Sequence, residues 1–386
     1  MPREKVAPTT YRHDQIAPER SQRRAEVLIG NERDPDVFSP QMLYAVWNRE
    51  CWLRVHSPVL EGSSKVVDDS DSVKIRHIGA EYETEFSEAR QGVYDMDIIL
   101  YQSRPGLSRI NLPIQHRGIR WHPQPQMTQA EFDAGDFQQE KAAFSLALYH
   151  ADRKWGNEYV TGKVAHIWRP ELIDALGDRA WGRISINPAQ TLLRMDLPTA
   201  WLRDATYPVR IDPSIGNTSI GGSSATVNAG FRGSHFTMPS NQTIDTMGAF
   251  FRLTNAAKNG QMAIYDDTAG AATNLDHNTS SQSVANADPT EEIWTGLSFA
   301  VVAEELWLCA DLEGGAGAEN LYFDTVSAGD GTSEANTFGT WPDPATSTND
   351  SRSCSVYASW TAAGGATPKG PLGHPLHGPL AGPIGP

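Results

Sequence analysis

The chain has 386 residues, a formal net charge of −15 and 39% hydrophobic residues. That apolar share is enough for packed cores, which excludes a wholly disordered chain, and the length suits two domains plus extensions. The acidic balance repels phosphate backbones, so no nucleic-acid partner is expected. No run approaches the ~18 apolar residues of a membrane-spanning helix, so no membrane partner is expected either.

Residues 1–40 mix charge, Pro and isolated apolar side chains without a period of 2 or 3.6, and read as an extended N-terminal arm. A short helix is conceivable around 18–28. This stretch holds no apolar leader segment, so no secretory signal is expected. From Met42 the pattern changes to short runs rich in β-branched and aromatic residues, bounded by Gly, Pro, Asp or Ser. MLYAVWNRECWLRVHS, VKIRHIGAEYETEF, YDMDIILYQSR, INLPIQHRGIRWHP, FSLALYH, KVAHIW and WGRISI make residues 41–213 a β-rich, sandwich-like domain. The short helix candidates there are 128–140 and 170–176. Gly216, Gly221 and Gly222 then loosen the chain.

Residues 214–363 carry HFTMP, TIDTMGAFFRL, GQMAIYDD, SQSVA, EEIWTGLSF, ELWLCADLE, LYFDTVS and SVYASWT. Eight short strands at turn-rich intervals predict a second β-sandwich, with a jelly roll as the leading topology. The fold class expected is therefore all-β. Residues 364–386 form a Pro/Gly-rich strap with a four-residue repeat: Pro371-Leu372, Pro375-Leu376, Pro379-Leu380 and Pro383-Ile384. Collagen needs Gly at every third position, which this lacks. A strap of this kind cannot build a core, so its apolar residues point to a groove on a partner.

Candidate chemistry is sparse. Cys51, Cys309 and Cys354 are odd in number and lack Cys-x-x-Cys spacing, which suits buried thiols of a reducing cytosol. A Cys309–Cys354 bridge is the one pairing left open. His116 and His122 lack a third nearby ligand for a metal. GNEYVTGK (156–163) is one residue too long for a phosphate loop and has Val164 where Ser or Thr must hold Mg²⁺. Ser223, Ser224 and Ser234 sit on no GxSxG elbow, and His235 adjoins Ser234, so a strand would point them to opposite faces. Asp266, Asp267 and Asp276 offer oxygen to Ca²⁺ without EF-hand spacing, and acidic turns are common in so negative a chain. Trp294 and Trp307 sit in apolar strands and read as core. Trp341, in GTWPDP, sits in a loop and is the candidate for stacking on a sugar ring, with Asp266 and Asp267 as further glycan candidates, while buried packing is the leading reading of Trp341. No catalytic residue, metal or cofactor is assigned, and the chain reads as a non-enzyme.

One stretch carries a resemblance. FSLALYHADRKWGNEYVTGKVAHIWRPELIDALGDRAWGRI followed by LPTAWLRDATYPVRIDPSIGNTSIGGSS, within 142–224, resembles a family of virion proteins of tailed phages and prophages. The shared pattern is TGK-x-x-HI-x-RP and then YPV-x-ID-P running into a Gly/Ser junction. Residues 243–312 are similar to the jelly-roll module of phage appendages. The resemblance implies a virion structural protein assembled in the host bacterial cytoplasm. Its expected form is a capsid cement, decoration or head-spike component that holds the major capsid protein or other virion proteins through its arms. The alternative is a tail or neck appendage whose jelly roll binds host-surface carbohydrate. A homotrimer is the expected oligomer.

Overall fold

The computed structural model describes residues 4–7, 10–16, 24–30, 40–58, 65–68, 75–79, 82–90, 93–152, 159–216, 220–227, 230–238, 241–302, 304–314 and 319–362. The architecture is all-β, as expected: antiparallel sheets with two short helices among the described residues, Gln129–Asp133 and Thr199–Asp204. No helix among those residues is long and apolar enough to cross a membrane.

The first half builds two sheets around one core. One sheet has eight strands, with Gln41–Val46, Cys51–His56 and Arg109–Arg117 at its centre. The other has eleven, centred on Val93–Leu100. Alternation explains the pairing. Cys51, Leu53 and Val55 are buried while Trp52, Arg54 and His56 are less so, the period of a strand with one face on a core. Tyr44, Leu53, Ile114 and Met195 from one sheet meet Phe86, Ile98, Leu148 and Ile211 from the other.

Three expectations in this half are corrected. Residues 4–7, 10–16 and 24–29, expected within an extended arm, form the strands Glu4–Ala7, Thr10–Ile16 and Arg24–Ile29, which pair in turn and join the eight-stranded sheet at Gln41–Val46; Ala25, Val27 and Ile29 enter the first core. The alternation Ala-Glu-Val-Leu-Ile suits a sheet better than an unpaired arm. Residues 171–173, expected at the start of a helix, form a strand because they gain two antiparallel partners, Arg179–Trp181 and Val209–Asp212. The helix expected over 128–140 is confined to Gln129–Asp133. It starts where Thr128 and Glu131 form a reciprocal capping box.

The second half is a two-sheet sandwich. One seven-stranded sheet is centred on Gln242–Arg252 and Asn320–Thr325, the other on Lys258–Thr268, Glu305–Leu312 and Gly230–Thr237. Ile244, Met247, Phe251 and Leu321 pack against Met262, Ile264, Leu306 and Leu308 between them. Trp294 and Trp307 are core residues, as their apolar strands predicted. Cys51, Cys309 and Cys354 are free, buried thiols. The strap, with Pro371, Leu372, Pro375, Leu376, Pro379, Leu380, Pro383 and Ile384, lies outside the described residues.

Candidate functional site: the joint between the two sandwiches

The strands Ser145–His150 and Lys163–Ile167 are buried along their whole length. A strand at the sheet surface alternates; one buried on both faces is covered on both. Leu146 and Leu148 face the first core, so Ser145, Ala147 and Tyr149 face the other way, onto the second sandwich. The register slips by one residue here: Leu148 pairs with Ala165, but Tyr149 pairs with Lys163. Val164 is the extra residue of this bulge. The slip turns Lys163 and His166 to the same side as Tyr149, although an odd spacing of three would separate them on a regular strand.

Asp324, on the strand Asn320–Thr325, meets this face from the second sandwich. Lys163 Nζ lies 2.7 Å from Asp324 Oδ2 and also donates to the Ile220 carbonyl at 2.8 Å. Both side chains are 0% exposed. The Tyr149 hydroxyl donates to Asp324 Oδ2 at 2.7 Å, and the Gly222 amide donates to Oδ1 at 2.8 Å. Burial alone would raise the Asp324 carboxyl. The charge of Lys163 and the donated hydrogen bonds outweigh it and hold the group below the usual carboxylate range. Burial, then the neighbouring ammonium, push His166 well below its usual value, so its ring is neutral. Ser145 Oγ donates to the Ala142 carbonyl and lies 2.7 Å from His166 Nε2. The single hydroxyl proton is thereby used, which leaves Nε2–H as the donor and fixes the tautomer. His166 also stacks on Trp168 at 3.9 Å.

Around this pair the two halves are laced together. The Gln124 side chain accepts from the Thr325 amide at 2.8 Å and donates to the Thr325 carbonyl at 2.9 Å, acting as one rung of a β-ladder. Phe137–Gln138, from the first half of the sequence, pairs with Ser223–Ser224 and joins the second sandwich. Arg352 reaches back to Asp136 at 2.9 Å and Glu131 at 3.3 Å. The crossing itself is made by Gly221 and Gly222. A Cβ on Gly221 would fall 2.1 Å from the Phe323 carbonyl oxygen, and one on Gly222 would fall 2.8 Å from the Ala142 side chain. Only glycine allows the backbone this close to the neighbouring strand.

The residues singled out for glycan recognition are not assembled into a site. Trp341, the loop aromatic offered for sugar stacking, is 8% exposed and packs on Phe231 and Tyr265, with ring centroids 5.6 and 6.2 Å away. The reason is an aromatic outer sheet face that needs a cover, which residues 336–347 supply. Asp267 accepts from Trp307 Nε1 at 2.8 Å and from the Gly270 amide at 3.0 Å, so it secures a core ring and its own turn. Asp266 precedes it on the strand Lys258–Thr268 and contributes its backbone carbonyl to Thr273. Among the described residues no group of three or more His, Cys, Asp and Glu side chains is placed to hold a metal ion. Ser234 accepts from the Cys354 amide, a structural bond.

Lys163, Asp324, Tyr149 and His166 thus form a charged network shut off from solvent. What such an arrangement does is hold two bodies in one orientation. No protein-family model matches the chain, and no curated protein matches it.

Proposed function

We propose that the chain is a structural protein of a tailed-phage particle, a cement, decoration or head-spike component whose C-terminal strap holds the major capsid protein or other virion proteins. One observation carries this reading. The residues on which the virion-protein resemblance rests are those that build the joint. Lys163 of the TGK element grips Asp324, His166 of the HI element locks onto Ser145, and Gly221–Gly222 of the junction cross between the sandwiches. Arg169 of the RP element donates to the Gly182 carbonyl and lies over Phe144 and Trp181. A pattern spent on rigidity suits a building block that must present two surfaces at a fixed angle. A C-terminal strap on every copy, each engaging a neighbour, then adds avidity without any single strong contact.

The alternative is a tail or neck appendage whose second sandwich binds host-surface carbohydrate. The burial of Trp341 removes the aromatic ring that this reading relied on. Gold-labelled antibody against the second sandwich, applied to purified particles, separates the two. Label over the heads is the expected result. Label at the tail tip favours the alternative, and unlabelled particles overturn the virion reading.

A further inference from the structure

The joint holds the two reactants of an amide bond. Lys163 Nζ lies 2.7 Å from Asp324 Oδ2, and both side chains are shut off from solvent. Lys258 and Glu319 stand 3.3 Å apart, but Lys258 is 20% exposed and keeps a route to water. In water such a pair stays ionic, because hydration favours both charges. A dry pair differs in two respects. Burial narrows the gap between the ion pair and the neutral amine with its neutral acid, since the charged forms lose the most hydration. An amide formed there is also out of reach of the water that would hydrolyse it.

The groups around the carboxyl match what condensation requires. Oδ1 accepts from the Gly222 amide at 2.8 Å, a donor placed where negative charge collects when nitrogen adds to Cγ. Oδ2 accepts from the Tyr149 hydroxyl at 2.7 Å, so the amine and a proton-carrying hydroxyl share the oxygen that would leave. The Ser353 hydroxyl donates to Tyr149 and holds it in place. The Ile220 carbonyl, 2.8 Å from Nζ, holds the amine. Two groups fixed against each other react with an effective molarity of up to about 10⁵–10⁸ M. His166 Nδ1, 3.9 Å from Asp324 Oδ1, is cut off from solvent and has no hydrogen-bond partner among the described residues. Buried acceptors without donors are rare, and a departing water would donate to this one.

We infer that Lys163 and Asp324 condense to an intramolecular isopeptide bond that joins the two sandwiches covalently. The ion pair is the reactant. A proton passes from Nζ to Oδ2, which leaves an amine with a lone pair. The amine adds to Cγ, and the charge falls on Oδ1, facing the Gly222 amide. A second proton leaves Nζ and reaches Oδ2 through the Tyr149 hydroxyl, which gives one proton and takes one. The Cγ–Oδ2 bond breaks, Oδ2 departs as water, and the Cγ–Nζ bond remains with one hydrogen on nitrogen. Ammonium and carboxylate become amide and water, a balance that needs no oxidant or co-reactant. Lys163 and the donated hydrogen bonds favour the ion pair at the start, so the neutral pair is a minor species that loss of water drains. The bond does not depend on the virion reading.

The test is the intact mass of the full chain, purified and then denatured, followed by a tryptic digest. The expected mass is lower than that of the sequence by one water, and the digest is expected to contain a branched peptide joining the segments around Lys163 and Asp324. Lys163→Met removes the nucleophile and is expected to show the full mass of its own sequence. Tyr149→Phe keeps the ring, removes the relay and is expected to slow condensation by about 10²-fold or more, leaving most of the chain at full mass. The wild-type reading gives an answer even if neither variant folds. A wild-type chain at full mass overturns the bond. So does a loss of water in which every tryptic peptide is linear, the result of an aspartate cyclising on its own backbone.

Discussion

Replacing Asp324 by Asn keeps the size of the side chain and removes its charge. The Gly222 amide keeps an acceptor, but the other end of the new amide is a donor facing two donors, Lys163 Nζ and the Tyr149 hydroxyl, each 2.7 Å from the present oxygen. Lys163 is fully buried, so its ammonium is left without a counter-charge or a route to water. Removing one partner of a buried pair costs about 3–5 kcal/mol. Against a domain stability of roughly 5–15 kcal/mol that is a large fraction. Lys163→Met leaves the opposite orphan and is expected to cost a similar amount. The double variant Lys163→Met/Asp324→Asn has no orphaned charge and is expected to be more stable than the sum predicts, by about 2 kcal/mol or more. Urea unfolding at pH 7, read by tryptophan fluorescence, measures all four proteins, with Trp168 as a local reporter through its stack on His166. A cost below about 1 kcal/mol for Asp324→Asn, or simple additivity in the double variant, would refute the claim that this pair holds the joint.

Gly221→Ala brings a methyl group against the Phe323 carbonyl oxygen and forces the backbone apart; a loss of about 1–3 kcal/mol is expected in the same assay, and an unchanged midpoint would show the approach to be dispensable. The pH profile has a defined sign. Burial pushes Asp311 up to about 7, and burial with Asp212 beside it pushes Asp97 up to about 8. The folded chain therefore keeps protons that the unfolded chain releases from about pH 4 upward. Stability falls as pH rises from about 4 towards 7 and 8. Asp324 has the opposite sign, because its contribution is present above about pH 4 and fades as pH drops below that. Asp311→Asn should flatten the slope between pH 4 and 7, and an unaltered slope would contradict the upward shift of its carboxyl. Deleting residues 364–386 is expected to leave the melting curve intact and to prevent incorporation into particles; normal incorporation would rule out the strap as an anchor.

Much of the fold was legible in the sequence. CWLRVH alternates as a half-buried strand should, and the Thr128–Glu131 box marks a helix start without any structure. The helix Thr199–Asp204 was missed because six residues are too few to show a period, and Pro198 makes no side-chain cap. Residues 171–173 were misread because local helix tolerance yields to a ladder with two partners, one of them 37–41 residues away in sequence. The joint was the least legible feature. Its geometry depends on a one-residue bulge at Val164 and on Asp324, which lies 161 residues beyond Lys163. A signal was nevertheless present. Lys163 sits in TGKVAHIW and Asp324 in LYFDTV, each a lone charge inside a strand destined for burial. Buried charges of opposite sign tend to find one another. The partners that bury Trp341 were not legible either. GTWPDP has the composition of an exposed turn, and the aromatic face it covers is assembled from three distant strands.

The most direct test of the virion assignment is the copy number of the chain in purified particles, by gel densitometry against the major capsid protein. The account predicts tens to hundreds of copies per particle, the stoichiometry of a protein that binds repeated capsid sites. About a dozen copies would move it to the neck or tail, and its absence from the particle would contradict the account.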